Sequence, residues 1–160
     1  MSMKKYEFTG ETKIAFGKTL HRIKALISFG FVKAGELGGW VEKEENLSHN
    51  GDAWVTDNAW VTGNARVTDN AWVTGNAWVT GIGTIFWIGG IGSRNGTTTF
   101  FACKDKKVRV SCGCFYGDLD EFAAKVQETH GDNDHAKVYM LAIEMAKTRI
   151  RISDEQEGEA

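Results

Sequence analysis

A six-residue repeat in the middle of the chain constrains the fold more than any other feature of this sequence. The unit Val-Thr-Gly/Asp-Asn-Ala-Trp recurs with valine at positions 55, 61, 67, 73 and 79. A six-residue period fits neither an α-helix with about 3.6 residues per turn nor a long flat strand. Repetition at a fixed short period is typical of solenoid proteins. The repeat therefore predicts short extended segments that are joined by regular corners.

Each repeat contains an extended piece, Ala-Trp-Val-Thr, whose side chains alternate between two faces. This alternation predicts that Ala59 and Val61 point inward while Trp60 and Thr62 point outward. Glycine, asparagine or aspartate follows each piece and tolerates the positive φ that a sharp corner needs. Small and β-branched residues inside, with polar corners, are typical of a narrow β-helix.

The repeat resembles the hexapeptide-repeat proteins, which fold as left-handed β-helices with three hexads in each coil. The resemblance implies the left hand, an exception to the usual right-handed crossover. The period continues forward to Ile85 and Ile91, and backward to Val41 and Leu47 if two extra residues bulge near "SHNGD". We therefore expect a mainly β protein in which a short left-handed β-helix of about three coils spans residues 41–92.

Tryptophan occupies most outward positions of the repeat. Three hexads per coil place residues 18 apart on one face, which stacks Trp60 with Trp78, adds Trp40 if the bulge is placed correctly, and stacks Trp54 with Trp72 on a second face. Five exposed rings, at about 150 to 250 Å² each, would present on the order of 1,000 Å², whereas the largest apolar patch on a monomer is typically about 300 to 600 Å². Something is therefore expected to cover them. A subunit interface, with a homotrimer favoured by the resemblance, competes with cover by the rest of the chain and with a stacking platform for a ligand.

The flanks of the repeat differ in character. Residues 1–40 are rich in β-branched and aromatic residues with glycine as punctuation, which predicts short strands that cap the β-helix. A helix over residues 18–28 is the competing interpretation, because the apolar residues there satisfy neither period cleanly. Downstream, a β-hairpin is predicted to turn at residues 105–106. That turn places Phe101, Cys103 and Val110 on one face, with Phe100 and Arg109 on the other.

Two helices are predicted after the hairpin. Asp118, followed three residues later by Glu121, has the spacing of a capping box, and Gly131 ends the first helix. The second helix runs from about 134 to 150, with an apolar stripe of Ala136, Tyr139, Met140, Ile143 and Ala146. Residues 93–152 are therefore predicted to form an α+β module, and residues 153–160 a disordered acidic tail.

Longer motifs in the flanks carry a second resemblance. They are "LGGWVEKEENLS", "GSRNGTTTFF", "VSCGCFYG" and "THGDNDHAKVY". Together with the hexads they resemble a family of small proteins encoded by phages and prophages of gut bacteria. The resemblance implies a virus acting inside a bacterium and supplies no catalytic residues.

Composition narrows the function classes. The net charge is only −2 and no block of lysine and arginine occurs, which makes nucleic acid an unlikely partner. The chain has neither an apolar stretch of roughly 18 residues nor the apolar core of a signal peptide, so no membrane partner is expected. Three cysteines, an odd number, suit a reducing compartment. We therefore expect a protein of the cytoplasm of the infected bacterial host.

Three polar loops of the C-terminal module are candidates for binding a small anion. Arg94 supplies a formal charge, the backbone before the first helix supplies N–H donors, and an aromatic ring supplies a flat surface. The predicted ligand-binding residues are Ser93, Arg94, Thr97, Thr98, Gly113, Tyr116, His130, His135 and Tyr139. An ordinary linker or turn is the competing interpretation for each loop, but the loops bound one small module, and a compact site needs such convergence.

Metal and cofactor chemistry is not favoured. Cys112, Cys114, His130 and His135 offer nitrogen and sulfur ligands for zinc. Both cysteines are expected on the apolar face of the hairpin, where a thiol behaves as a small hydrophobe, and their spacing is C-x-C. No metal or cofactor is therefore expected.

The sequence favours a non-enzymatic binding protein that sequesters a small anionic, nucleotide-like signal of host antiviral defence. Two alternatives stay open. Many left-handed β-helices are acyl- or acetyltransferases with a catalytic histidine, although the repeats here contain none and only His49 lies near the bulge. A scaffold that binds a host protein through its tryptophan faces is the other alternative.

Overall fold

A computed structural model describes residues 4–152 of the chain, so the predicted acidic tail at 153–160 lies outside the described residues. The chain is mainly β, with two α-helices at the C-terminal end of the described part. The strands are β1 (Tyr6–Ala15), β2 (Lys18–Ala25), β3 (Leu37–Val41), β4 (Trp54–Val55), β5 (Trp60–Val61), β6 (Trp72–Val73), β7 (Trp78–Val79), β8 (Ile85–Ile91), β9 (Gly96–Ala102), β10 (Val108–Cys112) and β11 (Phe115–Asp118). The helices are α1 (Leu119–His130) and α2 (Asp134–Arg149).

The N-terminal segment forms strands, as predicted, and the competing helix over 18–28 is wrong. Strands β1 and β2 form an antiparallel hairpin, and β2 continues the sheet by antiparallel pairing with β3. Leu20, Ile23 and Ala25 of β2 are buried in the core. Burial against the repeat therefore decides a segment whose local pattern is ambiguous.

The repeat stacks in parallel ladders. Strand β5 pairs with β3 on one side and β7 on the other, which joins Trp40, Trp60 and Trp78 in one column. Strand β4 pairs with β6, which joins Trp54 to Trp72. These are the stacks that the 18-residue offset predicts.

The predicted two-residue bulge is confirmed. Leu47 bridges Val67, an offset of 20 residues, whereas Val55 pairs with Val73, an offset of 18 residues. The two extra residues therefore lie between Leu47 and Val55, in the segment that contains "SHNGD". Lys5 packs against this segment, because its ammonium group donates to the carbonyl oxygens of Gly51 and Ala53.

The interior of the repeat consists of the predicted small and β-branched residues. Ala59, Val61, Val67 and Val73 are fully buried. The corners use residues that accept a left-handed backbone, with φ of 57° at Asp57, 64° at Gly63, 58° at Asp69 and 69° at Gly75. Local turn chemistry and inward packing therefore agree at each repeat.

The forward continuation of the period is wrong. Residues 82–84 form a 3₁₀ turn that the Thr84 hydroxyl stabilises by donating to the carbonyl oxygen of Gly81. Strand β8 then pairs antiparallel with β9 and joins a second sheet, ordered β11-β10-β9-β8. Ile85 still packs in the core of the repeat, whereas Ile91 packs against the core under the helices. The spacing of Ile85 and Ile91 does not reveal that β8 leaves the repeat and pairs in the second sheet.

The predicted faces of the C-terminal hairpin are also wrong. Phe101 pairs with Arg109 and Ala102 with Val108, because the strands are joined by five residues instead of a two-residue turn. A one-residue change of register moves every side chain of one strand to the other face. Phe101 therefore packs on the repeat, whereas Phe100 and Val110 pack under the helices.

The helix boundaries follow the capping signals. Asp118 accepts a hydrogen bond from the Glu121 backbone N–H at 2.8 Å, while the Glu121 carboxylate accepts from the Asp118 N–H at 2.9 Å, so the capping box is confirmed. Gly131 follows α1 with a φ of 66°. In α2, the prediction that Met140 belongs to the apolar stripe is wrong, because Met140 is 43% exposed. Ala142 is buried there instead. Neither helix has the length and apolarity that a membrane span requires, within residues 4–152.

Candidate functional site

Residues from two of the three predicted polar loops meet around Tyr139, together with Cys112 of β10. The Thr98 hydroxyl donates to the Cys112 sulfur at 3.3 Å, and the Cys112 thiol donates to the Tyr139 hydroxyl oxygen at 3.8 Å. The His130 ring stacks on the Tyr139 ring with centroids 5.8 Å apart, and the His135 ring lies 5.3 Å from His130. The structure therefore brings together four of the predicted ligand-binding residues, Thr98, His130, His135 and Tyr139.

This Tyr139 cluster is closely packed. Thr98 is 1% exposed and Tyr139 is 9% exposed. Gly92 lies directly against the Tyr139 hydroxyl, where any side chain at position 92 would collide. Burial, with a contribution from Cys112, raises the pKa of Tyr139 to about 12, so the phenol is neutral at physiological pH. The cluster holds the helices on the sheet and leaves its inner polar atoms engaged with one another.

The remaining predicted residues do not join the Tyr139 cluster. Ser93 and Arg94 are exposed in the turn between β8 and β9, and Gly113 is exposed in the turn between β10 and β11. Tyr116 faces the repeat, where its hydroxyl donates to the Asn76 side-chain oxygen at 3.3 Å and its ring stacks on Phe101. Thr97 lies on the face of β9 opposite to Thr98, because successive side chains of a strand alternate. Tyr116 and Tyr139 thus lie on opposite faces of one sheet, because Tyr116 packs toward the repeat and Tyr139 packs from α2 in the core under the helices.

The tryptophan rings are largely covered by the chain itself, which removes the argument that they need a subunit interface. Trp54 is fully buried, with Phe29 at 5.3 Å and Tyr6 at 6.4 Å between ring centroids. Trp72 lies under the second sheet, where its backbone N–H donates to the Thr99 hydroxyl and its carbonyl accepts from Ser111. Trp40 is 6% exposed and Trp78 9% exposed. Of the three alternatives, the structure shows intramolecular cover of these columns.

Two members of the column of Trp40, Trp60 and Trp78, namely Trp60 and Trp78, border an open cleft, here called the tryptophan cleft. Its volume is about 240 Å³. The residues that line it are Ala15, Phe16, Lys18, Trp60, Thr62, Trp78 and Thr80. Trp60 and Trp78 meet edge to face with centroids 6.1 Å apart, so the cleft wall presents ring surface in two orientations.

Three cations lie over the rings of the same tryptophan column. The Lys104 ammonium lies 3.8 Å from the centroid of the Trp60 ring, and the Lys13 ammonium lies 5.0 Å from Trp60 and 4.2 Å from Trp40. Cation–π contacts of this kind hold an ammonium near the ring face. Arg22 adds a third cation, 5.6 Å from the Trp40 ring. The sequence positions of Lys13 and Lys104 are far apart, and the fold alone brings them to one ring.

The electrostatics of these cations favour an anion. Burial lowers the pKa of Lys13, and the neighbouring charges of Lys104 and Arg22 lower it further. Burial also lowers the pKa of Lys104. Arg22 and Lys18 have carboxylate partners at 3.7 Å and 3.6 Å, whereas neither Lys13 nor Lys104 forms an ion pair with a residue in 4–152. Two cations that repel each other beside a cleft are stabilised by an anion placed between them.

The Trp60 side chain also carries an unpaired hydrogen-bond donor. The Trp60 indole nitrogen is buried and has no hydrogen-bond acceptor among the described residues. Buried polar groups usually have partners.

Sequence reasoning missed Lys13, Lys104 and Phe16 as site residues. The one signal was the tryptophan column itself, which suggested a stacking platform as one alternative. No group of three or more potential metal ligands is found within residues 4–152. His49 is engaged, since its ring stacks on Tyr6 and its Nδ1 accepts from the Lys5 backbone N–H.

No protein-family model matches the chain, and no curated protein matches it. The function is therefore argued from the geometry of the tryptophan cleft and of the Tyr139 cluster.

Proposed function

We propose that this protein is a non-enzymatic binding protein that holds a small anionic, nucleotide-like ligand in the tryptophan cleft. The observation that carries the proposal is the pair of ammonium groups, Lys13 and Lys104, over the ring of Trp60. Charge-assisted hydrogen bonds from lysine suit phosphate or carboxylate oxygens. Aromatic rings beside them suit a flat base, since stacking on an aromatic side chain is favourable for every nucleobase.

The proposal relocates the ligand from the C-terminal loops to the tryptophan cleft. Arg94 lies in an exposed turn, and in the Tyr139 cluster the Thr98, Cys112 and Tyr139 side chains bond to one another. A cleft of about 240 Å³ is smaller than the roughly 300 to 1,000 Å³ of most ligand pockets. The ligand is therefore a small one, or part of it extends into solvent.

The phage context adds a biological role to this proposal. The resemblance to phage and prophage proteins supports capture of a nucleotide-like signal of host antiviral defence in the host cytoplasm. Capture without turnover distinguishes this role from the acyltransferase alternative, in which a histidine acts on the ligand. It also differs from a scaffold, which needs no small molecule.

The test uses the whole chain and a panel of nucleoside monophosphates and cyclic dinucleotides. The protein is incubated with each compound and then separated from excess ligand. The bound compound is released by heat and identified by mass spectrometry. Recovery of an intact compound supports capture. Recovery of a hydrolysed or acylated product contradicts it, and retention of no compound in the panel favours the scaffold.

We also propose that the hexads wind as a left-handed β-helix of about three coils. The parallel ladders with offsets of 18 and 20 residues support this winding, and the resemblance to hexapeptide-repeat proteins supports the hand. Assembly as a homotrimer is a further proposal that rests on the same resemblance. Light scattering of the full chain measures it, and a mass of about one chain contradicts it.

A further inference from the structure

A phenylalanine at the tip of the N-terminal hairpin lines the tryptophan cleft. Strands β1 and β2 are joined by the two residues Phe16 and Gly17, both with positive φ, at 54° and 77°. Glycine adopts this backbone freely, and asparagine does so often, but a bulky aromatic residue there is an outlier. The position is therefore occupied by a residue that the turn itself disfavours.

The ring of Phe16 has a contact that accounts for its presence. It stacks on the ring of Trp78 with centroids 4.6 Å apart and planes 21° apart, and it meets Trp60 edge to face at 6.2 Å. Offset stacking and edge-to-face contact are the favourable arrangements of aromatic pairs. Phe16 is nevertheless 38% exposed, so the ring covers the cleft from outside and is not part of the buried core.

The hairpin tip is attached to the rest of the sheet on one side only. Pairing between β2 and β3 starts at His21, so residues 15–19 pair only within their own hairpin. The pairing of β1 with β2 is interrupted between Phe8 and Thr12, where Gly10 has a φ of 95°. Next to the tip, Ile14 is 77% exposed. An ion pair between Lys18 and Glu42, at 3.6 Å, links the tip to the segment after β3.

We infer that Phe16 is a movable clamp that selects a ligand with a flat ring. The phenyl ring occupies the place on Trp78 where a ligand ring would stack, and the hairpin tip moves outward so that the ligand ring lies between Phe16 and Trp78. The anionic part of the ligand then reaches Lys13 and Lys104 beside Trp60. The class of ligand is a nucleoside phosphate, because it joins a flat base to a phosphate within a short distance. This inference rests on the proposed function.

The test compares ligands with and without a ring. The probes are adenosine, guanosine, cytidine and uridine 5′-monophosphate, with ribose 5-phosphate as the ring-free molecule of the same phosphate charge. Binding is measured by titration calorimetry on the full chain and on two variants. Phe16→Asn keeps a residue that accepts positive φ, and Ile14→Asn is the matched control at an exposed position of the same hairpin.

For the chain as it is, we expect at least one nucleotide to bind about tenfold or more tightly than ribose 5-phosphate, since stacking of a base on an aromatic side chain is favourable. We expect Phe16→Asn to abolish most of this preference and to leave the binding of ribose 5-phosphate unchanged. Ile14→Asn should alter neither. Thermal unfolding measures whether both variants are folded. We expect Phe16→Asn to remain folded, because asparagine accepts the positive φ of the turn.

Different results would refute the clamp and the proposed function. If nucleotides bind the parent chain and Phe16→Asn alike, or no more tightly than ribose 5-phosphate, the clamp is refuted and anion binding in the cleft survives. If neither nucleotides nor ribose 5-phosphate bind the parent chain, the proposed function and the clamp are refuted together.

Discussion

Removing the positive charge of Lys104 separates ligand binding from stability at the tryptophan cleft. In Lys104→Met the long unbranched side chain is kept and the ammonium group, 3.8 Å from the Trp60 ring, is lost. The unliganded chain then loses a partly exposed cation–π contact of about 0.5 to 1 kcal/mol. It also loses the repulsion between Lys104 and Lys13, which lowers the pKa of Lys13. Because these effects oppose each other, the free energy of unfolding should change by less than about 1 kcal/mol, or a few degrees in Tm.

Ligand binding has no such compensation. A charge-assisted hydrogen bond contributes about 1.5 to 3 kcal/mol, and each 1.4 kcal/mol is a factor of about ten in Kd. Lys104→Met should therefore weaken binding of a nucleoside monophosphate by about tenfold to a hundredfold. The loss should shrink at high ionic strength, because salt screens partly exposed charges. Calorimetric titrations at two salt concentrations, with thermal unfolding of the same samples, measure both quantities.

Lys107→Met is the matched control. Lys107 is an exposed lysine of the same turn, so the change of net charge is identical while the tryptophan cleft is untouched. We expect the control to bind like the parent chain. A folded Lys104→Met variant that binds as tightly as Lys107→Met would refute the assignment of the anion to this cleft.

Three further predictions concern the alternative site, the core and pH. Arg94→Ala should leave nucleotide binding unchanged, and a tenfold or larger loss in Kd would return the ligand to the C-terminal loops. Val67→Asp places a carboxylate where the side chain is fully buried, which should cost several kcal/mol of stability; Arg66→Asp, at the exposed neighbouring position, should unfold like the parent in a thermal melt. Burial, opposed in part by Asp52, lowers the pKa of Lys5 to about 8, below the usual value of about 10.4. The unfolded chain therefore binds more protons between these values, so the stability of the parent relative to Lys5→Met should rise from about pH 8 to about pH 9.5, by at most about 1.4 kcal/mol per unit. The free energies of unfolding of the parent and of Lys5→Met are measured by denaturant titration. If their difference stays flat or falls between about pH 8 and about pH 9.5, the pKa of Lys5 is not lowered by folding.

The sequence alone determined the features that depend on neighbours within a few residues. The six-residue period predicted which side chains point inward, the corners at Gly63 and Asp69, and the tryptophan stacks. The capping box of Asp118 and Glu121 predicted the start of α1. Even the bulge followed from counting residues between Leu47 and Val55. Each of these depends on backbone preferences and side-chain alternation, which act locally.

The tertiary structure decided whatever depends on which distant segments meet. The hairpin register was decided by a five-residue connection in which Asp105 binds Arg109 through two hydrogen bonds, at 2.7 and 2.8 Å, and no alternation pattern reveals that one-residue shift. The cover over Trp54 comes from Phe29 and Tyr6, and the cations over Trp60 come from β1 and from the connection between β9 and β10. Contacts between residues far apart in sequence leave no periodic signal, because either partner alone looks like an ordinary lysine or phenylalanine. The candidate site therefore became visible only when the fold placed Lys13, Phe16 and Lys104 on one tryptophan column.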